Sequence, residues 1–228
     1  MMEQIDKNTV KAENQLKENE YISYINPQGK GFRVMFVGNS ITRHGRKPEI
    51  GWDRDWGMAA SVKENDYVHL VMKKILEKRE DATFCICQAS AWEVHCYEPK
   101  KVLSDFVEAR AFDADLIIFR ISENFPRNFC DLPELKKNYQ ELISYLNPEK
   151  RAKILLTTGF WKREEDMMIR EVAKENDYPL VELNDLGEDD SMKSLGLFAH
   201  SGVANHPGDR GMQQIAERIL EKISLKRI

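Results

Sequence analysis

Three short segments carry residues whose types and spacing allow nucleophilic catalysis. In Phe36-Val37-Gly38-Asn39-Ser40-Ile41-Thr42, a serine follows an apolar run and a glycine, where a sharp turn can present its hydroxyl to a cleft. The same serine would serve equally well as a turn residue or helix cap. In Arg120-Ile121-Ser122-Glu123-Asn124-Phe125, an asparagine closes another apolar run, and its side-chain N–H is the kind of donor an oxyanion needs. In His200-Ser201-Gly202-Val203-Ala204-Asn205-His206-Pro207-Gly208-Asp209, the proline holds the backbone of His206 extended and so directs its ring. Asp209 is expected to cap the helix that follows.

Other chemistry-bearing residues support two readings each. Trp52, Trp56, Trp92 and Trp161 all fall after expected strands, so they would either line one aromatic substrate cleft or pack the loops onto the body. Arg43, His44, Arg46 and Lys47 form either a solvated basic turn or an anion contact. His69 reads as a surface or packing residue of a helix, and Met167 and Met168 as core filling. Glu93 and His95 lie beyond the second strand, with a spacing that fits no metal site. Cys85, Cys87, Cys96 and Cys130 show no paired CxxC spacing, which argues against a zinc ribbon or a thioredoxin-like site. No glycine-rich phosphate loop of either common spacing follows the first strand.

The elements that must position these residues are legible as alternating patterns. Tyr21–Ile25 reads as a short leading strand with a turn after it. Apolar runs at Arg33–Val37, Thr83–Cys87, Leu116–Ile121, Lys153–Thr157 and Leu180–Leu183 suit buried parallel strands. Between them, Val68, Val71, Met72, Ile75 and Leu76 follow the helical period after a cap at Asp66. Leu135, Tyr139, Leu142 and Leu146 make a second stripe, and Met212, Ile215, Ala216, Ile219, Leu220 and Ile223 a third. Alternation of this kind predicts a parallel sheet with helices on both faces, and a ligand site outside the carboxyl ends of the strands.

Composition narrows the function. The chain has 228 residues, which suits one domain over residues 21–228 behind a polar extension at residues 1–20. Its 34 basic and 38 acidic residues leave a net charge of −4, against nucleic-acid binding through a broad basic field. No apolar run approaches the roughly 20 residues that span a bilayer, and the charged first residues lack the apolar core of a signal peptide. The expectation is a cytoplasmic protein with free thiols.

Taken in order, the three segments resemble the SGNH/GDSL hydrolases, a family of serine esterases and lipases. The family's Gly-Asp-Ser motif is matched by Gly38-Asn39-Ser40, and its Gly-x-Asn-Asp block loosely by Ser122-Glu123-Asn124-Phe125. Its Asp-x-x-His-Pro block is matched by Val203-Ala204-Asn205-His206-Pro207. The resemblance implies a flavodoxin-like, three-layer α/β/α sandwich with a five-stranded parallel sheet. It implies Ser40 as nucleophile, His206 as general base, and an oxyanion hole of the Ser40 N–H, the Asn124 side chain and a backbone N–H near Ala91. No metal or cofactor is implied. The reaction would be hydrolysis of a small carboxylic ester, including an acylated carbohydrate. Acyl transfer by the same residues and a non-catalytic ligand-binding role are the alternatives. The chain departs from the family at the acid, since Val203 stands where the aspartate would. A backbone carbonyl beside His206 is the favoured substitute, with Glu123 the candidate carboxylate.

Overall fold

The computed structural model describes residues 21–26, 31–126 and 131–223. The polar extension expected at 1–20 and Cys130 lie outside the described residues.

The expected runs form strands β1 (Ile22–Ile25), β2 (Arg33–Gly38), β3 (Thr83–Gln88), β4 (Leu116–Arg120), β5 (Lys153–Thr157) and β6 (Leu180–Val181). They make one sheet in the order β1-β3-β2-β4-β5-β6. The five strands β2 to β6 are parallel, as expected. A sixth is added at the edge, because the leading strand β1 pairs antiparallel with β3.

Seven α-helices are described: α1 (Tyr67–Leu76), α2 (Ser90–Val94), α3 (Val107–Ala111), α4 (Leu132–Leu146), α5 (Asp166–Glu175), α6 (Ser201–Ala204) and α7 (Asp209–Lys222). Alternate strand residues face opposite ways, and this sorts the core into two layers. Val34, Phe36, Phe84, Ile86, Leu116 and Ile118 pack with Val68, Val71 and Ile75 of α1 and Ile215 and Ile219 of α7. Met35, Val37, Cys85, Cys87, Ile117 and Phe119 pack with Ala109 of α3, Leu135 and Leu142 of α4, and Ile169 and Val172 of α5. The result is the three-layer α/β/α sandwich.

Local expectations were met unevenly. Asp66 caps α1, accepting from the His69 N–H at 2.8 Å and from the His69 ring at 2.7 Å. Asp209, by contrast, is the first residue of α7 rather than its cap, which is Gly208. Its carboxylate instead takes Ser61 N–H, Ser61 Oγ–H and Asn65 Nδ2–H, tying a distant loop to the helix start. Met168 is buried, whereas Met167 points out of the same helix and is 55% exposed.

The strand order reverses around β2, with β3 on one side and β4 on the other. Gly38 at the end of β2 is in register with both Gln88 and Arg120. The loops leaving β2, β3 and β4 therefore start side by side at the switch point of the sheet, where α/β proteins place their ligands.

Candidate active site

Ser40 leaves β2 through a turn held at both ends. The Thr42 and Arg43 N–H groups donate to the Asn39 carbonyl at 2.9 Å each, and Met58 N–H donates to the Ser40 carbonyl at 2.8 Å. Gly38 allows the chain to close this tightly: a Cβ there would sit 1.7 Å from Thr42 Oγ1. The Ser40 N–H meets no acceptor among the described residues.

His206 arrives from the other end of the chain, just past α6. Its Nε2 lies 2.8 Å from Ser40 Oγ, and its Nδ1 lies 2.7 Å from the Gly202 carbonyl oxygen. A carbonyl only accepts, so Nδ1 carries the proton and Nε2 presents its lone pair to the serine. The partner of the imidazole is thus a main-chain oxygen four residues back. Glu123, the candidate acid, does not take that place. Its Oε1 accepts from Arg120 Nη1–H at 2.7 Å and Phe160 N–H at 2.8 Å, and its Oε2 from Arg120 Nη2–H at 3.0 Å and Asn39 Nδ2–H at 2.5 Å. With four donors on two oxygens, the carboxylate is held away from Nδ1. Burial pushes the His206 pKa down to about 4, against the smaller opposing effects of the Gly202 hydrogen bond and the Glu123 charge. Val203 is 1% exposed and packs with Trp52, Met58 and Ala59.

A cavity of about 410 Å³ opens over these groups, lined by Ser40, Glu123, Asn124, Trp161, Gly202, Asn205 and His206. One Nδ2–H of Asn124 donates to Glu93 Oε2 at 2.6 Å. The second meets no acceptor among the described residues, so Asn124 and Ser40, both lining the cavity, each keep an N–H without a described partner. Ala91, half-buried in the first turn of α2, is not part of its lining. The expectation of a third donor at that position therefore has no geometric support.

The aromatic cleft of four tryptophans is not formed either. Trp161 alone lines the cavity, its ring edge-on to the His206 imidazole with centroids 5.4 Å apart. Trp92 is fully buried between Phe125 and Tyr139 in the core. Trp52 is buried against Trp56 and Phe198, and donates to the His44 carbonyl at 3.0 Å. Trp56 is half-buried and bonds to the Ala60 carbonyl at 3.0 Å. Trp52 and Trp56 pack the long loop after Ser40, whose own regular structure is one short 3-10 turn at Pro48–Ile50 and two isolated bridges, His44 to Trp56 and Lys47 to Trp52. In the same loop Arg43 pairs with Asp55 at 2.8 Å, so much of the basic turn is neutralised locally.

Behind the cavity lies a network of polar groups that the sequence reading did not assemble. Arg120 and Glu93 are fully buried, and the Glu123 side chain is 6% exposed. Arg120 donates to Glu123 and to Asn39 Oδ1. Asn39 Nδ2 in turn donates to both Glu93 Oε1, at 3.0 Å, and Glu123. Burial opposes charge on all three ionisable members. Arg120 nevertheless holds Glu123 below the usual carboxylate range, and Glu123 helps hold Arg120 charged. Glu93, penalised by burial and then by the charge of Glu123, is pushed up to about 7. A charged residue ending the apolar run Leu116–Arg120 was the one sequence signal of such a network, since a buried guanidinium requires carboxylate partners. Among the described residues no group of three His, Cys, Asp or Glu could hold a metal ion, and no helix is long and apolar enough to cross a membrane.

No family model matches the sequence, and no curated protein does. The fold is nevertheless that of known hydrolases. A carbohydrate esterase of family 3 from Talaromyces cellulolyticus superposes with a TM-score of 0.54 at 13% identity, over 87% of this chain and 100% of that one. A two-domain esterase active on acetylated mannans gives 0.54 at 15% identity over 86% of this chain, which spans only 50% of that protein. The family 2 carbohydrate esterase of Clostridium thermocellum, solved with cellohexaose, gives 0.53 at 16% identity over 86% of this chain and 64% of that one. The chain therefore shares the α/β/α fold of these carbohydrate esterases.

Proposed function

We propose that this protein is a serine esterase that removes a short acyl group from an alcohol, with acylated carbohydrate as the substrate class. The observation that carries the reading is the relay from Ser40 Oγ through His206 to the Gly202 carbonyl, placed at the switch point of the sheet. Ser40 Oγ attacks the ester carbonyl as its proton passes to His206 Nε2. The oxyanion is met by the Ser40 N–H and the free Asn124 N–H. His206 then protonates the departing alcohol, and a water activated by the same nitrogen releases the acid and restores Ser40.

The carbonyl performs half of what a triad aspartate does. It fixes the tautomer, the error that costs roughly ten-thousandfold in serine proteases when it is wrong. It supplies no full negative charge for the imidazolium, so the nearby Glu123 carboxylate acts on His206 only through its field. Acetylated glycans as substrate are favoured by the esterases of this fold that act on acetylated mannans and by the Trp161 wall, whose ring can face a sugar. Acyl transfer to an acceptor other than water is the second reading, favoured by the same fold in a salicylyl-acyltransferase, with a TM-score of 0.51 at 14% identity.

A fluorophosphonate probe should label the protein at Ser40, and acetylated sugars should be deacetylated by the parent but not by Ser40→Ala. Product analysis with added alcohols or sugars separates hydrolysis from transfer. Full activity in Ser40→Ala would refute both.

A further inference from the structure

We propose that Glu93 is a positioning residue that sets the polarity of the oxyanion donor. The proposal rests on the serine-esterase reading for its catalytic consequence, but its geometric content stands apart from it. An ionised carboxylate is acceptor-only, whereas an asparagine amide offers an oxygen on one side and two N–H groups on the other. Glu93 takes the side-chain nitrogens of both asparagines, Oε1 that of Asn39 at 3.0 Å and Oε2 that of Asn124 at 2.6 Å, and Oε1 also accepts from the Asn124 main-chain N–H at 3.5 Å. Both amides must therefore turn their nitrogens inward. For Asn39 this leaves Oδ1 to Arg120 Nη2–H and to Ile41 N–H at 3.3 Å, on the turn that carries Ser40. For Asn124, which lines the cavity with Ser40, it leaves the second N–H without an acceptor among the described residues. Asn39 is also oriented by Arg120, Ile41 and Glu123, but with Glu93 absent no other acceptor among the described residues holds the Asn124 nitrogen inward, and a flipped Asn124 would set a carbonyl oxygen against the developing oxyanion.

Burial of a carboxylate beside a second one is costly. The charged and titratable groups around Glu93 are Arg120 at the end of β4, Glu123 just beyond it, Tyr139 on α4 and Cys96 after α2. Only Arg120 among them is cationic, so two carboxylates share one guanidinium, and Glu93 is the one that takes up a proton. A protonated Glu93 offers one acceptor and one donor, and can no longer hold both nitrogens.

The test compares the parent with Glu93→Gln, Asn124→Ala and the double variant. Glutamine keeps the size but can accept only one of the two amides. If Glu93 acts through Asn124, Glu93→Gln lowers kcat roughly ten- to a hundredfold, with KM within about threefold. In an Asn124→Ala background the same change then adds less than about threefold, because coupled residues are not additive. The parent's kcat should also climb with pH around 7, and Glu93→Gln should lack that limb. A parallel readout needs no activity and no variant of Glu93: the Asn124 side-chain amide resonances, assigned by their loss in Asn124→Ala, should shift with a midpoint near pH 7. Multiplicative losses in the double variant, kcat in Glu93→Gln within threefold of the parent, or Asn124 amide signals indifferent to pH from 5 to 9 would each overturn the proposal. Absence of both fluorophosphonate labelling and hydrolysis in the parent would instead sink the esterase reading, leaving the amide signals to decide the role of Glu93.

Discussion

The two sides of the Ser40 cavity are built in opposite ways. On the His206 side, the imidazole is steadied by one uncharged main-chain oxygen, and Val203 packs against Trp52 and Met58. On the Asn124 side, a single neutral amide is backed by Glu93, Asn39, Glu123 and Arg120, joined by hydrogen bonds. Negative charge thus lies behind the Asn124 amide rather than beside the imidazole. The comparison teaches that orientation and charge are separable: a carbonyl suffices to choose a tautomer, while fixing the sense of an amide between two neighbours takes an acceptor-only group.

Removing the base tests the sparse side most severely. His206→Ala should cost on the order of 10⁴–10⁶ in kcat by the precedent of serine hydrolases, measured with an activated acetyl ester. Retention of more than a hundredth of parental turnover would mean that Ser40 is activated by something else. On the dense side, Asn124→Ala should lower kcat by roughly 10²–10³, about 3–4 kcal/mol, with little change in KM. Turnover within about threefold of the parent would make Asn124 structural.

Val203→Asp asks whether the sparse side can simply be given its missing charge. Val203 is sealed among Trp52, Met58 and Ala59 with no cation among them, so the new carboxylate should destabilise the fold by roughly 3 kcal/mol without raising kcat. A rise in kcat at unchanged stability would show that the carbonyl is an inferior substitute within reach of repair.

The two sides should also respond to pH with opposite sign. His206 falls from 6.5 to about 4 on folding, so its contribution to stability is full above pH 6.5 and is lost as pH falls towards 4. Glu93 rises from 4.5 to about 7, so its contribution is present below 4.5 and is lost as pH rises through 7. Denaturant midpoints of Glu93→Gln relative to the parent should therefore increase from pH 4.5 to 7. Those of His206→Asn should increase as pH drops from 6.5 to 4. Parallel trends in the two variants would contradict the assignment. The smallest effect is expected at the rim, where Trp161→Ala should raise KM for acetylated sugars about fivefold, the scale of one lost aromatic contact, and leave kcat for a small activated ester within about twofold.

The sequence by itself determined the sandwich, the parallel strands and the three loops that meet at their carboxyl ends. Hydrophobic periodicity is a local signal, and a glycine before a serine or a proline after a histidine constrains the chain within a few residues. It also pointed to a main-chain oxygen as the partner of His206, because Val203 excluded the obvious side chain. Tertiary structure alone decided which groups sit behind the site. Glu93 and Asn124 are 31 positions apart and Asn39 and Glu93 54 apart, so no spacing rule joins them, and a buried ion network is recognisable only once its members are in contact. The same holds for the tryptophans, for which order along the chain placed four rings at one end of the sheet. Whether an indole lines the cavity, as Trp161 does, or fills the core, as Trp92 does, depended on which neighbouring helix was there to cover it.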